Sequence, residues 1–95
     1  MKIDVAIPES SLHRKMRDAG YHPDREQRRG FLSFSRSLTG GRYPRFHIYY
    51  SKDKETLDLH LDHKPNRYQG ARDHGAEYSG RLVEEEVQRV KSIIE

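Results

Sequence analysis

Cysteine and tryptophan are both missing from this 95-residue chain. Without Cys there is no disulfide framework and no thiolate metal site. No apolar run approaches the roughly 18–20 residues of a membrane-spanning helix, which excludes that class. A basic-then-apolar leader is lacking at the N-terminus, so a cytoplasmic location is expected. Apolar residues are scarce. They make up 33% of the chain, and the 7 glycines lift that only to about 40%, below the usual ~45–50%. With 35% charged residues and a mean hydropathy of -1.08, the core must be thin. Residues 1–95 are expected to form one small domain. A phosphate-cradling glycine loop is absent, because Gly40-Gly41 is not followed by Lys and Ser/Thr. No Ser stands in a nucleophile motif and there is no Cys, which disfavours covalent catalysis.

What the chain has in plenty is charge. The net charge is +3 and the pI near 9.3. Residues 1–50 hold ten Lys/Arg against five Asp/Glu, and residues 51–95 hold eight against ten. The basic excess gathers around Arg14, Lys15, Arg17, Arg25, Arg28, Arg29, Arg36, Arg42 and Arg45. Such a stretch can neutralise phosphates and release counterions, the basis of sequence-independent affinity for nucleic acid. The rival reading is a small polar domain that solvates itself with charge.

The order of elements follows from hydrophobic periodicity. Ile3, Val5 and Ile7 alternate as in a strand. Pro8-Glu9-Ser10 suits a helix start, Leu12, Met16 and Ala19 give helical spacing, and Gly20 is a natural stop. The polar stretch 21–30, with Pro23, reads as a loop. Strands are expected at 31–38, 45–50 and 57–62, with a turn at Thr39-Gly40-Gly41-Arg42. A long polar segment, 63–80, precedes a helix over about 81–95, whose stripe is apolar except at Glu86. The Glu84-Glu85-Glu86 run reads as a favourable charge cluster near that helix's N-terminus. The expected fold is therefore α+β in the order (β)-α-β-β-β-α. An antiparallel sheet of three or four strands would carry both helices on one face. Edge strands of so small a sheet could pair between chains as a homodimer.

The other sheet face is expected to be polar and open. It would present Arg45, His47 and Tyr49 beside Asp58, His60 and Asp62. One hairpin register sets His47 opposite His60 and Arg45 opposite Asp62. Another sets His47 opposite Asp58 and Arg45 opposite His60. Either way the imidazoles are direct or diagonal neighbours, with Cβ atoms roughly 5–8 Å apart. His63, Lys64, Arg67, Arg72, His74 and Glu77 follow in the polar segment. His47, His60, His74 and Glu77, with Asp62 as substitute or outer partner, offer a ligand set for Zn or Mn. Without a metal, His47 and His60 could share general base and acid duties, while Arg45, Lys64, Arg67 and Arg72 hold phosphates. With one, Glu77 serves as ligand or base. His13 and His22 read as plain surface residues, and Tyr49 and Tyr78 as packing.

The motifs Pro44-Arg45-Phe46-His47-x-Tyr49, Leu59-His60-Leu61-Asp62-x-Lys64 and His74-x-x-Glu77-Tyr78-x-Gly80, followed by Val83 and Glu86, resemble those of a small prokaryotic protein family without an assigned activity. That likeness groups these residues over roughly 31–90 and implies no role for them. Asp18-Ala19-Gly20-Tyr21 and His47-Ile48-Tyr49 are more faintly similar to HicA-type ribonuclease toxins. The second resemblance implies a double-stranded-RNA-binding-like fold with His47 on the catalytic strand. The leading expectation is a domain that binds RNA, with RNA cleavage as the activity it would add as an enzyme and His47, His60 and Glu77 as its catalytic residues. The alternative is a non-catalytic module whose His/Asp/Glu site holds a metal or docks a protein. The residues leave open which it is.

Overall fold

The structure, a computed structural model, describes residues 1–25, 31–63, 76–77 and 80–95, with the side chains of Phe31, Ala76 and Glu77 outside that description. Pro8, at φ -62° and ψ 142°, leads the chain into helix α1, Glu9–Asp18. Leu12 and Met16 are its buried residues. Gly20 stops it: its φ of 90° lets Gly20 N–H reach Arg17 O and Tyr21 N–H reach Met16 O, both at 2.9 Å. This paired closure satisfies the last carbonyls and needs a residue that tolerates positive φ. Helix α2, Arg81–Ile94, buries Val83, Val87, Val90 and Ile94 along one stripe. Lys15 Nζ donates to Ile94 O at 2.7 Å, placing a cation on the negative end of α2.

The long strands are β3 (Phe31–Ser37), β4 (Arg45–Ser51) and β5 (Thr56–Asp62). Three strands of two residues each complete the sheet: β1 (Lys2–Ile3), β2 (His22–Pro23) and β6 (Ala76–Glu77). The order across is β1-β5-β4-β3-β2, with β6 also on β5, and every pairing is antiparallel. One edge is thus β2. The outer side of β5 is shared by β1 at Leu57–Asp58 and β6 at Leu61–Asp62. The α+β class matches expectation, but β2 and β6 are added to the expected order and the sheet has six strands rather than three or four. β2 and β6, at two residues each, are too short to leave a period in the sequence, which is why they escape it. Leu38 lies beyond the end of β3, exposed, and the expected strand over 2–7 shortens to Lys2–Ile3.

Beneath the sheet, Phe34, Phe46, Ile48, Tyr50, Leu57, Leu59 and Leu61 join Leu12, Met16 and the α2 stripe in a single core. Both helices therefore cover one face, as the periodicity requires. Tyr50 Oη donates to Ile7 O at 2.6 Å, so its buried hydroxyl has a partner.

Two residues read otherwise in the sequence turn out to anchor the helices. Tyr21, expected in a loop, is buried, and its hydroxyl donates to Glu86 Oε2 at 2.6 Å. Glu86, expected to be part of a charge cluster near the N-terminus of α2, is 5% exposed. It also accepts from Arg89 Nε and Nη2 at 2.7 and 2.9 Å and from Arg36 Nη1 at 3.3 Å. Arg89 Nη2 further reaches Ala19 O at 2.6 Å. A carboxylate on an apolar stripe survives burial only when so fully bonded. Burial works to raise the Glu86 pKa, but the bonds from Arg89 and Tyr21 outweigh it and hold it below the ordinary 4.5.

Glu86→Ala is expected to destabilise the fold by about 3 kcal/mol, because it strands a buried hydroxyl and two guanidiniums, and Tyr21→Phe by about 1 kcal/mol. Chemical denaturation checks both. Since the folded Glu86 pKa is depressed, its contribution is present above pH 4.5 and is lost as pH falls through the folded value. Acid titration should therefore cost the wild type more stability than Glu86→Gln over that window.

Candidate metal centre

The polar sheet face is built by β4 and β5 in a single register. Arg45 pairs with Asp62, His47 with His60, and Tyr49 with Asp58. Of the registers the sequence allows, this is the one that sets the imidazoles directly opposite each other. Their ring centroids are 5.1 Å apart.

The face is not open at this point. His47 is 8% and His60 6% exposed, although strict alternation would leave both in water. Tyr49 covers one side, its ring 4.4 Å from that of His47 and stacked on that of His60 at 5.3 Å and 20°. Asp24 covers another. It follows β2, and the pairing of His22 with Ser35 and Pro23 with Phe34 brings it over the sheet face. Its Oδ2 accepts from Ser33 Oγ at 2.7 Å, and its Oδ1 from Ser35 Oγ at 2.6 Å. His47 Nε2 lies 2.7 Å from Asp24 Oδ2. Because an ionised carboxylate only accepts, Nε2 carries the proton of that bond.

His47 is thereby held between two carboxylates. Its Nδ1 lies 3.3 Å from Asp62 Oδ2, close enough for attraction but without the alignment of a hydrogen bond. Among the described residues it is the one buried side-chain polar atom with no hydrogen-bond partner. Asp62 Oδ1 lies 3.0 Å from His60 Nε2. One ligand atom from each of His47, His60 and Asp62 falls within 4.8 Å of the others.

The acid–base properties follow. Burial opposes charge on His47, but the Asp24 bond and the Asp62 carboxylate outweigh it and raise its pKa above the ordinary 6.5. Burial likewise opposes charge on Asp24, yet the bonds from His47, Ser35 and Ser33 prevail and pull it down to about 2. Asp62 is also held well below the carboxylate range, burial being outweighed by His47 and His60. His47 thus contributes stability in full below pH 6.5, which is lost as pH rises through its folded value. Asp24 contributes above pH 3.8, which is lost as pH falls towards about 2.

Of the site residues expected from sequence, the fold brings together His47, His60 and Asp62, with Arg45 beside them. Arg45 Nε donates to Asp62 Oδ2 at 3.4 Å. Glu77 pairs through its backbone with Leu61 rather than Asp62, and its side chain lies outside the described residues. Lys64, Arg67, Arg72, His74 and Tyr78 lie outside them too. His63 is exposed, as are His13, whose ring meets Phe34 edge-on at 5.3 Å, and His22. Asp24 is the residue that sequence reasoning missed. No helix among the described residues is long and apolar enough to cross a membrane. Comparison with protein-family models, curated proteins and solved structures finds no match for the chain, so the site is read from its own chemistry.

In metal-free protein, nitrogen-detected NMR should show His47 keeping its proton above pH 6.5. Asp24→Asn removes one of the two charges holding that proton, and the His47 titration should move down. An unchanged midpoint would mean Asp24 does not control this ring.

Proposed function

We propose that this protein binds a divalent first-row metal ion through His47 Nδ1, His60 Nε2 and an oxygen of Asp62. The observation that carries the reading is the buried, partnerless Nδ1 of His47. A buried nitrogen without a hydrogen-bond partner costs about 1–3 kcal/mol, and a metal ion that displaces its proton turns it into a good ligand. With Nε2–H donating to Asp24, it is Nδ1 that faces Asp62. A carboxylate bonded to the far nitrogen of a ligating imidazole fixes its tautomer and strengthens it as a donor.

The spacing supports this. Ligand atoms around a tetrahedral zinc ion with ~2.1 Å bonds stand about 3.4 Å apart. His47 Nδ1 stands 3.3 Å from Asp62 Oδ2 and His60 Nε2 3.0 Å from Asp62 Oδ1, and one ligand atom from each of the three residues falls within 4.8 Å of the others. A set of two imidazoles and one carboxylate suits Zn or Mn, and three protein ligands leave a coordination position for water or a ligand. Burial of both rings favours a shared ion over their separate use as acid and base on RNA, which would need to reach each ring. When bound, the metal would supply a Lewis acid and an acidified water. The chain's own part is to hold the ligands, keep His47 in one tautomer through Asp24, and cover the rings with Tyr49.

Untagged protein should take up one equivalent of Zn or Mn by elemental analysis. Cobalt(II) should give a tetrahedral absorption spectrum. His47→Ala and Asp62→Asn should abolish uptake, and Asp24→Asn should weaken it about 10- to 100-fold. Circular dichroism of each variant separates lost ligation from lost folding. Wild-type protein that binds no stoichiometric metal would sink the reading.

A further inference from the structure

We infer that the metal's remaining position takes a phosphate oxyanion whose other oxygens are held by Arg45; this rests on the metal reading above. Arg45 is one cross-strand pair along from the two imidazoles, directly opposite Asp62. Its Nε donates to Asp62 Oδ2, and its guanidinium carbon lies 5.0 Å from the Tyr43 ring centroid. A metal ligand on one side and an aromatic ring on the other fix the plane of the fork.

The outer end of that fork, the two terminal nitrogens of Arg45, has no acceptor among the described residues. The side chain is only 19% exposed, so these donors sit at the rim of the site rather than out in solvent. A guanidinium so placed binds an oxyanion through two parallel hydrogen bonds.

Charge points the same way. Asp24 and Asp62 bring two negative charges to the site and Arg45 one positive. A divalent ion on neutral imidazoles leaves one positive charge in excess among the described groups. Asp58, farther along the face, is paired with the terminal amine of Met1 at 3.0 Å and does not offset it. An anion completes the balance where a water would not. The geometry selects its shape. A carboxylate has two oxygens, both used by the fork, whereas a tetrahedral phosphate keeps a further oxygen for the metal. Either a free phosphate group or a phosphodiester of RNA presents that chemistry.

The test uses the full chain loaded with cobalt(II). Inorganic phosphate and a six-nucleotide RNA without terminal phosphates are titrated separately, by calorimetry and by the metal's absorption bands. Phosphate should perturb the bands and bind the loaded protein about tenfold or more tighter than the metal-free protein. Arg45→Gln should remove that advantage. Arg45→Lys, which keeps the charge but not the fork, should remove most of it, while both variants still load cobalt. RNA binding with the same Arg45 dependence assigns the site to phosphodiesters, and phosphate binding alone assigns it to free phosphate groups. Equal phosphate affinity with and without metal, or in wild type and Arg45→Gln, overturns the inference and leaves the metal reading intact. Failure of the wild type to load cobalt overturns both.

Discussion

The register between β4 and β5 is the constraint on which the rest depends. A slip of one residue would put His47 and His60 on opposite faces, turning one of them towards the helices, and a slip of two would set His47 against Asp58 instead. Several features resist both. The turn over 52–55 closes with Ser51 opposite Thr56, and Glu55 N–H bonds to Ser51 O at 2.8 Å. On the core face the same register stacks Phe46 on Leu61, Ile48 on Leu59 and Tyr50 on Leu57. All six are buried, so any slip would open the core to water. Tyr50 is further tied to Ile7 O. The apolar side of the hairpin therefore holds the geometry of its polar side.

On that polar side, burial is achieved with charge rather than with hydrocarbon. Ser33, Ser35 and His47 all bond to Asp24, and Asp62 lies between the two imidazoles. Isolated, either carboxylate would be costly to remove from water. Surrounded by donors, both remain ionised. Glu86 solves the same problem on the opposite side of the sheet with a hydroxyl and two guanidiniums. The molecule thus places a bonded carboxylate wherever its scarce apolar residues leave a gap. The two clusters differ in one respect. Every buried side-chain polar atom around Glu86 is satisfied, whereas His47 Nδ1 is not, and only the latter invites a ligand.

Much of this was legible in the sequence where a period is long enough to register. Alternation over Phe46–Tyr50 and Leu57–Leu61 and the α2 stripe named the long elements, the core face and the side on which His47 and His60 stand. The short strands carried no such signal. β2 was hidden inside a polar stretch containing a proline, and with it went Asp24, whose role comes from strand pairing and not from its neighbours in the chain. Burial of the two imidazoles was equally out of reach, because the lid over them is Tyr49 together with a residue more than twenty positions away. Two clues were present all the same. Tyr21 directly follows the glycine stop, a poor place for an aromatic unless it is buried, and Glu86 interrupts an otherwise apolar stripe. A lone acid in such a stripe signals partners elsewhere.

The sheet's margins also decide how copies of this chain behave in a crowded solution. β4 is interior, the outer side of β5 carries β1 and β6 at its two ends, and the outer side of β3 carries β2 at Phe34 and Ser35. The strand at that border, His22–Pro23, is two residues long, and one of them has no amide hydrogen to give. A strand so short and so poor in donors offers little for another molecule to zip onto. The margin that brings Asp24 to the imidazoles thus also blunts the growth of ribbon-like aggregates.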